Sequence, residues 1–269
     1  MSNKPYKGFE PKWLLTPAPA DSYRSIFRWG DPNFFKYPKE SLYTLMKETF
    51  KMTDDDFKEY SDDIGFDPVD LSDHPVQLAP EHIEALKKIV GEQNVSTTDY
   101  DRLSVAYGFT AYDILRLRHK RVDSVPDVVL YPETTGQVEQ IVAYSTEHHI
   151  PLYVYGGGSS VTRGVEPVKG GISLDMRRNF NKVISFNEID QTITVQAGMS
   201  GPDLEKTLQS APELFDAKRQ YTCGHFPQSF EYSSVGGWTV TRGAGQNSTY
   251  YGTIADIVLS QKYATPIGT

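Results

Sequence analysis

Residues 126–160 read PDVVLYPETTGQVEQIVAYSTEHHIPLYVYGGGSS, a pattern that predicts a strand, a helix and a second strand leading into a glycine-rich loop. The run VVL lies close between two prolines, as a short buried strand does. The next segment places Val138, Ile141 and Val142 on one helical face, behind a threonine suited to the helix start. PLYVY then predicts the second strand, which Gly156–Ser160 follow.

The same alternation continues downstream. GGISLDM, at 170–176, predicts a third strand, and KVISFNEIDQTITVQAG, at 182–198, predicts a hairpin that turns at Asn187–Asp190. SGPDLEKTLQS then predicts a helix with Pro202 in its first turn. Strands that alternate with helices leave both the α/β and the α+β class open.

Residues 1–121 have a different character, and we expect a mainly helical N-terminal region. Aromatic residues and prolines crowd its start, while Ser41–Phe50 and Pro80–Val90 have apolar residues at helical spacing. The acidic run TDDDFKEYSDD begins at Thr53, a residue type that suits a helix start. We interpret this run as a solvated helix face, with a binding tail as the alternative.

The composition excludes several classes of protein. The chain has 269 residues, 38% of them hydrophobic and 23% charged, as expected of a soluble globular protein. Its net charge of −8 argues against a surface that binds nucleic-acid phosphates. We find neither an apolar run long enough to span a bilayer nor an export signal, so we expect a cytoplasmic protein. A single cysteine excludes an internal disulfide framework and a cysteine-based metal cluster.

The loop YGGGSSVTRGV, at 155–165, fits neither familiar nucleotide motif. A Walker loop requires a lysine that this loop lacks, and a dinucleotide fingerprint starting at Gly156 would require glycine where Val161 stands. The later cluster RGAGQNS fails in the same way at Ser248. For the loop alone, two interpretations remain open: a turn that needs positive φ angles, and a nest of backbone N–H groups that holds an anion.

A second strip favours the anion nest. Residues 223–259 read CGHFPQSFEYSSVGGWTVTRGAGQNSTYYGTIADIVL, with many small polar residues between apolar runs. Two separated strips of glycines and hydroxyls suit an extended, doubly charged ligand that lies between two subdomains.

These segments resemble a known family. In their order, PDVVLYPETTGQVEQIV, YGGGSSV, LDMRR, VQAGMSGPDLEKTL and SSVGGW are similar to the FAD-binding domain of the vanillyl-alcohol-oxidase and p-cresol-methylhydroxylase (PCMH) superfamily. Residues 223–259 resemble alkylglycerone-phosphate synthase and its bacterial FAD-linked oxidase relatives. RWGDP at Arg28–Pro32 and the segment at 102–129 fit the same branch.

The resemblance implies an α+β fold: a PCMH-type FAD-binding domain over 122–269, after the helical region. Its two α/β subdomains would span about 122–180 and 181–269. In the family, a further FAD-contacting segment and a substrate-binding cap domain follow. We therefore expect the N-terminal portion of a larger enzyme, through proteolysis or truncation, with catalytic residues beyond residue 269.

The resemblance also assigns residues to the cofactor. The glycine loop would hold the FAD diphosphate, and the second strip would lie along the cofactor. The implied FAD-binding residues are Val154, Tyr155, Gly156, Gly157, Gly158, Ser159, Ser160, Gln228, Ser229, Phe230, Glu231, Tyr232, Ser233, Ser234, Gly236, Gly237, Gly245, Asn247, Ser248, Thr249, Tyr250, Tyr251 and Gly252. One departure is Gln228, where the synthases usually carry a carboxylate.

We expect the FAD to be non-covalent. Ser159–Arg163 contains no histidine to which the flavin could be attached, and Cys223 lies too far before Gly236 to match the usual cysteine. Cys223 is interpreted as a small buried residue and His225 as a hydrogen-bonded structural imidazole, with a flavin contact as the alternative for His225. His148-His149 ends a helix, where cationic side chains suit the helix dipole, and we expect no metal site.

The implied function is an FAD-dependent oxidoreductase that oxidises a hydroxy acid or alcohol by hydride transfer to the flavin. A first alternative is the synthase reaction, in which a fatty acid is exchanged for a fatty alcohol without net redox change. A second is a non-catalytic binding module that has lost its flavin. We expect a small-molecule or lipid-like substrate, no nucleic-acid partner, and an assembly compatible with a homodimer. Because part of the site would lie outside these residues, the chain alone is expected to be inactive and FAD to be weakly held or absent.

Overall fold

The computed structural model describes residues 18–26, 40–56 and 65–269. The α-helices of these residues are, in chain order, α1 (Tyr23–Ile26), α2 (Glu40–Phe50), α3 (Pro80–Val90), α4 (Asp99–Ser104), α5 (Ala111–Arg118), α6 (Thr135–Glu147), α7 (Gly201–Gln209), α8 (Ala211–Phe215), α9 (Val235–Thr241), α10 (Ser248–Tyr251) and α11 (Ile254–Ile257). The strands are β1 (Val95–Ser96), β2 (Val128–Leu130), β3 (Leu152–Tyr155), β4 (Ile172–Asp175), β5 (Val183–Asn187) and β6 (Thr192–Val195).

The chain divides into two compact units. The first comprises residues 1–70 and 111–122, and the second comprises residues 71–110 and 123–269. The described part of the first unit is helical, with α1 packed on α5. Inside α5, Arg116 and Asp113 form a buried ion pair of 3.2 Å. The domain and subdomain boundaries expected from the sequence stay predictions.

A four-stranded sheet with the order β1-β2-β4-β3 organises the second unit. β4 pairs in parallel with both of its neighbours, β2 and β3, whereas the two-residue β1 pairs antiparallel with β2. The carboxyl ends of β2, β4 and β3 therefore meet at one edge of the sheet, which is where ligands bind in open parallel sheets.

The two faces of this sheet carry different side chains, because successive residues of a strand point to opposite faces. Val128 and Leu130 of β2 pack with α3, α6 and Ile172 in the main apolar core. Val129 lies in a separate buried cluster with Tyr131 and Tyr155. The second cluster lies near the edge at which the glycine loop begins.

A second core surrounds the β5–β6 hairpin. It contains Met199, Leu204 and Leu208 from around α7, together with Trp238 of α9 and Ile254 of α11. The apolar side chains of the hairpin pack against this cluster, which explains the alternating pattern of its two strands. The unit therefore has one core beneath the parallel sheet and one beneath the hairpin.

Most elements expected from the sequence are confirmed, and the fold is α+β. The helices expected over Ser41–Phe50, Pro80–Val90 and 200–210 are present, as are the strand–helix–strand unit and the hairpin. Arg28–Pro32 and most of the acidic run lie outside the described residues. At the start of that run, Thr53 and Asp56 exchange the hydrogen bonds of a helix start. Among the described helices, none is long and apolar enough to cross a bilayer.

The start of α6 shows how the sequence specifies an element. Thr134 Oγ1 accepts a hydrogen bond from Gln137 N, and the Gln137 side chain accepts one from Thr134 N. This capping box satisfies two of the backbone N–H groups that a helix start leaves without partners. Gln137 Oε1 accepts a further bond from Glu133 N.

We predict that Thr134→Ala lowers the free energy of unfolding by about 1 kcal/mol, because one cap bond is lost and its partner N–H is exposed. Urea-induced unfolding followed by circular dichroism measures the change. Thr146→Ala is the matched control: Thr146 is exposed in the same helix, and its hydroxyl bonds only the carbonyl of Val142. Equal destabilisation by the two substitutions would contradict the capping role.

Candidate functional site

The glycine loop leaves β3 at the carboxyl edge of the parallel sheet. No backbone N–H between Gly156 and Thr162 donates a hydrogen bond to another atom of the described residues. The Ser159 and Ser160 hydroxyls also have no hydrogen-bond partner there, although neither residue is fully exposed. Successive amides without a partner, joined by two hydroxyls, make a concave donor surface that suits an anion.

The loop packs directly against the second strip. A Cβ placed on Gly157 would lie 1.9 Å from the carbonyl oxygen of Tyr232, and one placed on Gly156 would lie 2.5 Å from Ser234 Oγ. Gly158 has a φ of +73°, a conformation that favours glycine. Gly157 is therefore required by backbone packing and Gly158 by its φ angle, while Gly156 lies against the Ser234 side chain. This packing brings together the two strips that the sequence singled out.

Two of the serines in the second strip are engaged within the protein. Ser233 Oγ donates to the carbonyl of Ser229 and accepts a bond from Trp238 Nε1 at 2.6 Å. Ser234 is the N-cap of α9, where its hydroxyl accepts a bond from Gly237 N. With exposures of 6% and 2%, Ser233 and Ser234 have structural roles that the sequence analysis did not anticipate.

The other residues of the second strip include one that packs in a core and three whose side chains form no hydrogen bond to described residues. Phe230 lies nearly parallel to Trp238 in the hairpin core. The side chains of Gln228, Ser229 and Glu231 donate or accept no hydrogen bond among the described residues. These three side chains are the ones free to bind a ligand.

The residues after Ser234 that were expected at the site pack against segments other than the glycine loop. A Cβ on Gly245 would lie 2.6 Å from the Phe226 carbonyl oxygen, and one on Gly236 would lie 2.7 Å from Ala197. In α10, Tyr251 packs against Gly224, while the Tyr250 side chain is 86% exposed. The cofactor contacts expected of Val154, Tyr155, Gly237, Asn247, Ser248, Thr249 and Gly252 stay predictions, as do those of the other assigned residues.

The structure adds a segment that the sequence analysis did not assign to the site. Phe109 N donates to the Ser160 carbonyl at 3.0 Å, and the Phe109 ring meets the Tyr232 ring edge-on. A Cβ on Gly108 would lie 2.2 Å from the same Ser160 oxygen. Residues 108–109 therefore connect both strips, and no local pattern could have shown a contact across some fifty positions.

His225 differs from its expected state. Its side chain is 1% exposed, and neither ring nitrogen has a hydrogen-bond partner among the described residues, so the expected hydrogen-bonded imidazole is wrong. The ring lies edge-on to Trp238 at a centroid distance of 5.0 Å. Burial without a partner disfavours the charged form and lowers the pKa of His225.

The remaining candidate side chains are Cys223, which is partly buried, and His148. Burial raises the pKa of Cys223 to about 11, so its thiol stays protonated and unreactive at neutral pH. His148 caps the end of α6 and packs on Tyr144. The described part of the chain contains no cluster of histidine, cysteine and carboxylate side chains suited to a metal ion.

Comparison with known proteins gives a family match and several relatives. The family model described as "FAD binding domain" matches residues 126–269, just over half of the chain. Alkyldihydroxyacetonephosphate synthase of Dictyostelium discoideum is 32% identical over 198 residues, which cover 72% of this chain and 31% of the relative. D-lactate dehydrogenase [cytochrome] of Arabidopsis thaliana is 30% identical, with coverage of 71% and 30%.

A solved structure of an alkyldihydroxyacetonephosphate synthase is 31% identical and has a TM-score of 0.67, covering 72% of this chain and 36% of its own. The chain thus spans about a third of the length of the curated relatives that it matches.

We predict that Gly157→Ala destabilises the protein by about 2 kcal/mol or more, because the new methyl group would overlap the Tyr232 carbonyl oxygen. Gly164→Ala is the matched control, since a Cβ there meets nothing within 4 Å. Denaturant unfolding measures both variants. A Gly157→Ala protein as stable as the control would disprove the close packing of the two strips.

We also predict that stability falls as the pH drops below about 6.5, the ordinary pKa of histidine. Because the pKa of His225 is lower in the folded protein, only the unfolded state takes up this proton between that pKa and 6.5. The stability that neutral His225 contributes is complete above pH 6.5 and is lost as the pH falls through the pKa of His225 in the folded protein.

His225→Phe keeps a buried ring and removes the titrating group, so it should flatten this part of the profile. Unfolding free energies between pH 5 and pH 7.5 test the prediction. His149→Asn, at an exposed position with a φ of 54°, is the control and should keep the wild-type slope. An unchanged slope in His225→Phe would refute the assignment.

Proposed function

The chain belongs to the family of FAD binding domains, and from this membership we propose that it serves an FAD-dependent oxidoreductase. The proposed reaction is the oxidation of a hydroxy acid or a similar alcohol by hydride transfer to the flavin. The observation that carries the proposal is the run of backbone amides from Gly156 to Thr162 that donate to no described residue, within the residues that the family model matches.

The loop residues fit the cofactor. The diphosphate of FAD is an anion with several acceptor oxygens, and unpaired backbone amides beside the Ser159 and Ser160 hydroxyls would donate to it. The absence of Cβ atoms at Gly156–Gly158 keeps side chains away from these amides. Bound FAD supplies the hydride acceptor, while the chain binds and orients it.

We propose that the FAD is held without a covalent bond. Ser159–Arg163 offers no histidine for attachment. The Cys223 thiol lies against the hairpin core and has a pKa of about 11, so it is a poor nucleophile at neutral pH. Precipitating the intact protein in acid should release all of the flavin into solution. Flavin that stays with the pellet would contradict this proposal.

A second candidate is the synthase reaction, in which an acyl group is replaced by an alkyl group with no net redox change. The identity of 32% and the TM-score of 0.67 to alkyldihydroxyacetonephosphate synthases favour it. By the resemblance drawn from the sequence, Gln228 stands where the synthases usually carry a carboxylate, and an amide without that charge favours the oxidase.

One experiment separates the two reactions. The intact protein is loaded with FAD and mixed without oxygen with lactate, glycolate and longer 2-hydroxy acids. Bleaching of the visible absorbance of the flavin supports the oxidoreductase. Incorporation of a radiolabelled fatty alcohol without bleaching supports the synthase. An intact protein that binds no FAD would reject both and leave a non-catalytic binding module.

The loop itself gives a binding prediction. Ser159→Ala combined with Ser160→Ala should weaken FAD affinity by about tenfold or more, because each hydrogen bond to a charged group contributes roughly 1.5–3 kcal/mol. The melting temperature should stay unchanged, since neither hydroxyl bonds to a residue that the structure describes. Ser234→Ala provides the contrast: its hydroxyl caps α9, so this change should lower stability. Quenching of flavin fluorescence measures affinity, and an unchanged affinity in the double variant would exclude the hydroxyls from the site.

A further inference from the structure

Two consecutive arginines follow β4 at the edge of the sheet from which the glycine loop leaves. Tyr155 and Asp175 are register partners in β3 and β4, and Met176 N donates to the Tyr155 carbonyl at 3.0 Å. The chain after Asp175 therefore runs beside the start of the glycine loop. Arg177 and Arg178 are the next residues.

Arg177 is held in one orientation by two contacts. Its Nε lies 3.0 Å from Asp175 Oδ1 and its Nη2 lies 2.5 Å from Asp175 Oδ2, which is a bidentate pair. The guanidinium also stacks over the Tyr155 ring, with Cζ 4.6 Å from the centroid. A buried carboxylate requires a counter-ion, so the pair with Asp175 explains part of this arrangement.

The pairing leaves one end of the guanidinium unused. Arg177 Nη1 donates no hydrogen bond to a described residue, and the side chain is 40% exposed. The Tyr155 ring that it covers also touches the glycine loop, because a Cβ on Gly158 would lie 2.0 Å from the Tyr155 hydroxyl. Arg177 and the loop therefore contact the same ring.

Arg178 repeats the arrangement on the neighbouring strand. Its Cζ lies 4.6 Å from the ring centroid of Tyr131, which directly follows β2. Arg178 is exposed and forms no ion pair with a carboxylate of the described residues. Tyr131 and Tyr155 belong to one buried cluster, so the two guanidiniums cover adjacent parts of one aromatic surface.

Two arginines and two carboxylates lie near this edge of the sheet. Asp175 is used by Arg177 in the bidentate pair. Asp101 lies near enough to Tyr131 that, after burial, its charge raises the pKa of the Tyr131 hydroxyl. What remains for an anion is the exposed guanidinium of Arg178 and the Nη1 end of Arg177. Planar guanidiniums fixed by stacking are suited to the paired oxygens of a phosphate.

We propose that Arg177 and Arg178 form a second donor group that binds the diphosphate of the cofactor, beside the glycine loop whose amides donate to no described residue. This proposal rests on the proposed function, because it takes FAD as the ligand. It assigns the two arginines to binding and positioning of the cofactor, and it assigns them no part in hydride transfer.

The test measures the affinity of the intact protein for FAD, ADP and riboflavin, the last of which lacks phosphate. Arg178→Gln removes an exposed arginine that pairs with no described carboxylate, so the fold should lose only its stacking on Tyr131. Arg177→Lys keeps a cation for Asp175 and removes Nη1 and the planar fork. Each variant should bind FAD and ADP about tenfold more weakly or worse, with riboflavin affinity unchanged.

Arg219→Gln is the matched control. The Arg219 guanidinium also lies over a tyrosine ring, 5.6 Å from the Tyr221 centroid, but beside Glu188 at the turn of the hairpin. This variant should keep wild-type affinity for all three ligands. A melting curve for each variant separates lost binding from lost folding, and Arg178→Gln keeps the test decisive if Arg177→Lys unfolds.

The outcomes are distinct. Weaker FAD and ADP binding in both arginine variants, with riboflavin and the control unchanged, supports the proposal. Wild-type FAD and ADP affinity in Arg178→Gln and Arg177→Lys overturns it and leaves the proposed function intact. Equal loss of riboflavin affinity also overturns it, because the effect would not depend on phosphate. An intact wild-type protein that binds no FAD refutes the proposed function and this inference together.

Discussion

The carbonyl oxygen of Tyr232 occupies the space in which a side chain at residue 157 would begin. This contact between two backbones is the constraint on which the candidate site depends. It sets how closely the loop after β3 approaches the turn before α9, and Gly156 adds a similar contact with Ser234. Gly108 meets Ser160 in the same way, so three distant segments join through positions that tolerate only glycine.

The same packing leaves the backbone amides of the glycine loop able to bind a ligand. The close contacts are made at the α-carbons, and the amides from Gly156 to Thr162 stay without acceptors in the described residues. Partly buried amides without partners are costly unless a ligand or solvent satisfies them. The glycines therefore allow close packing and keep side chains away from the amides at once. The turn with a positive φ angle is confirmed at Gly158, whereas the anion nest stays a prediction.

Local pattern was sufficient to predict the elements and the location of the loop. The prolines around VVL, the spacing of Val138 and Ile141, and the threonine before α6 are all read within a few residues, and each matches the structure. Assigning individual side chains required tertiary contacts. The sequence assigned Ser233 to the cofactor but could not show that the Trp238 indole donates to its hydroxyl. Phe109 could not be connected to Ser160 without the fold. His225 was misread because a sequence does not show whether a buried nitrogen has a neighbour.

The order β1-β2-β4-β3 places the glycine loop on an outer strand, with a partner segment that follows some seventy residues later. Contacts of such long sequence separation require large loops to close and form late in folding. A ligand that needs both segments binds only chains in which that closure is complete. By mass action, such a ligand selects the fully folded state over any state with the strips apart. Occupancy of the site would thus report on the folding of both hydrophobic cores together, and cofactor supply would influence how long the protein persists.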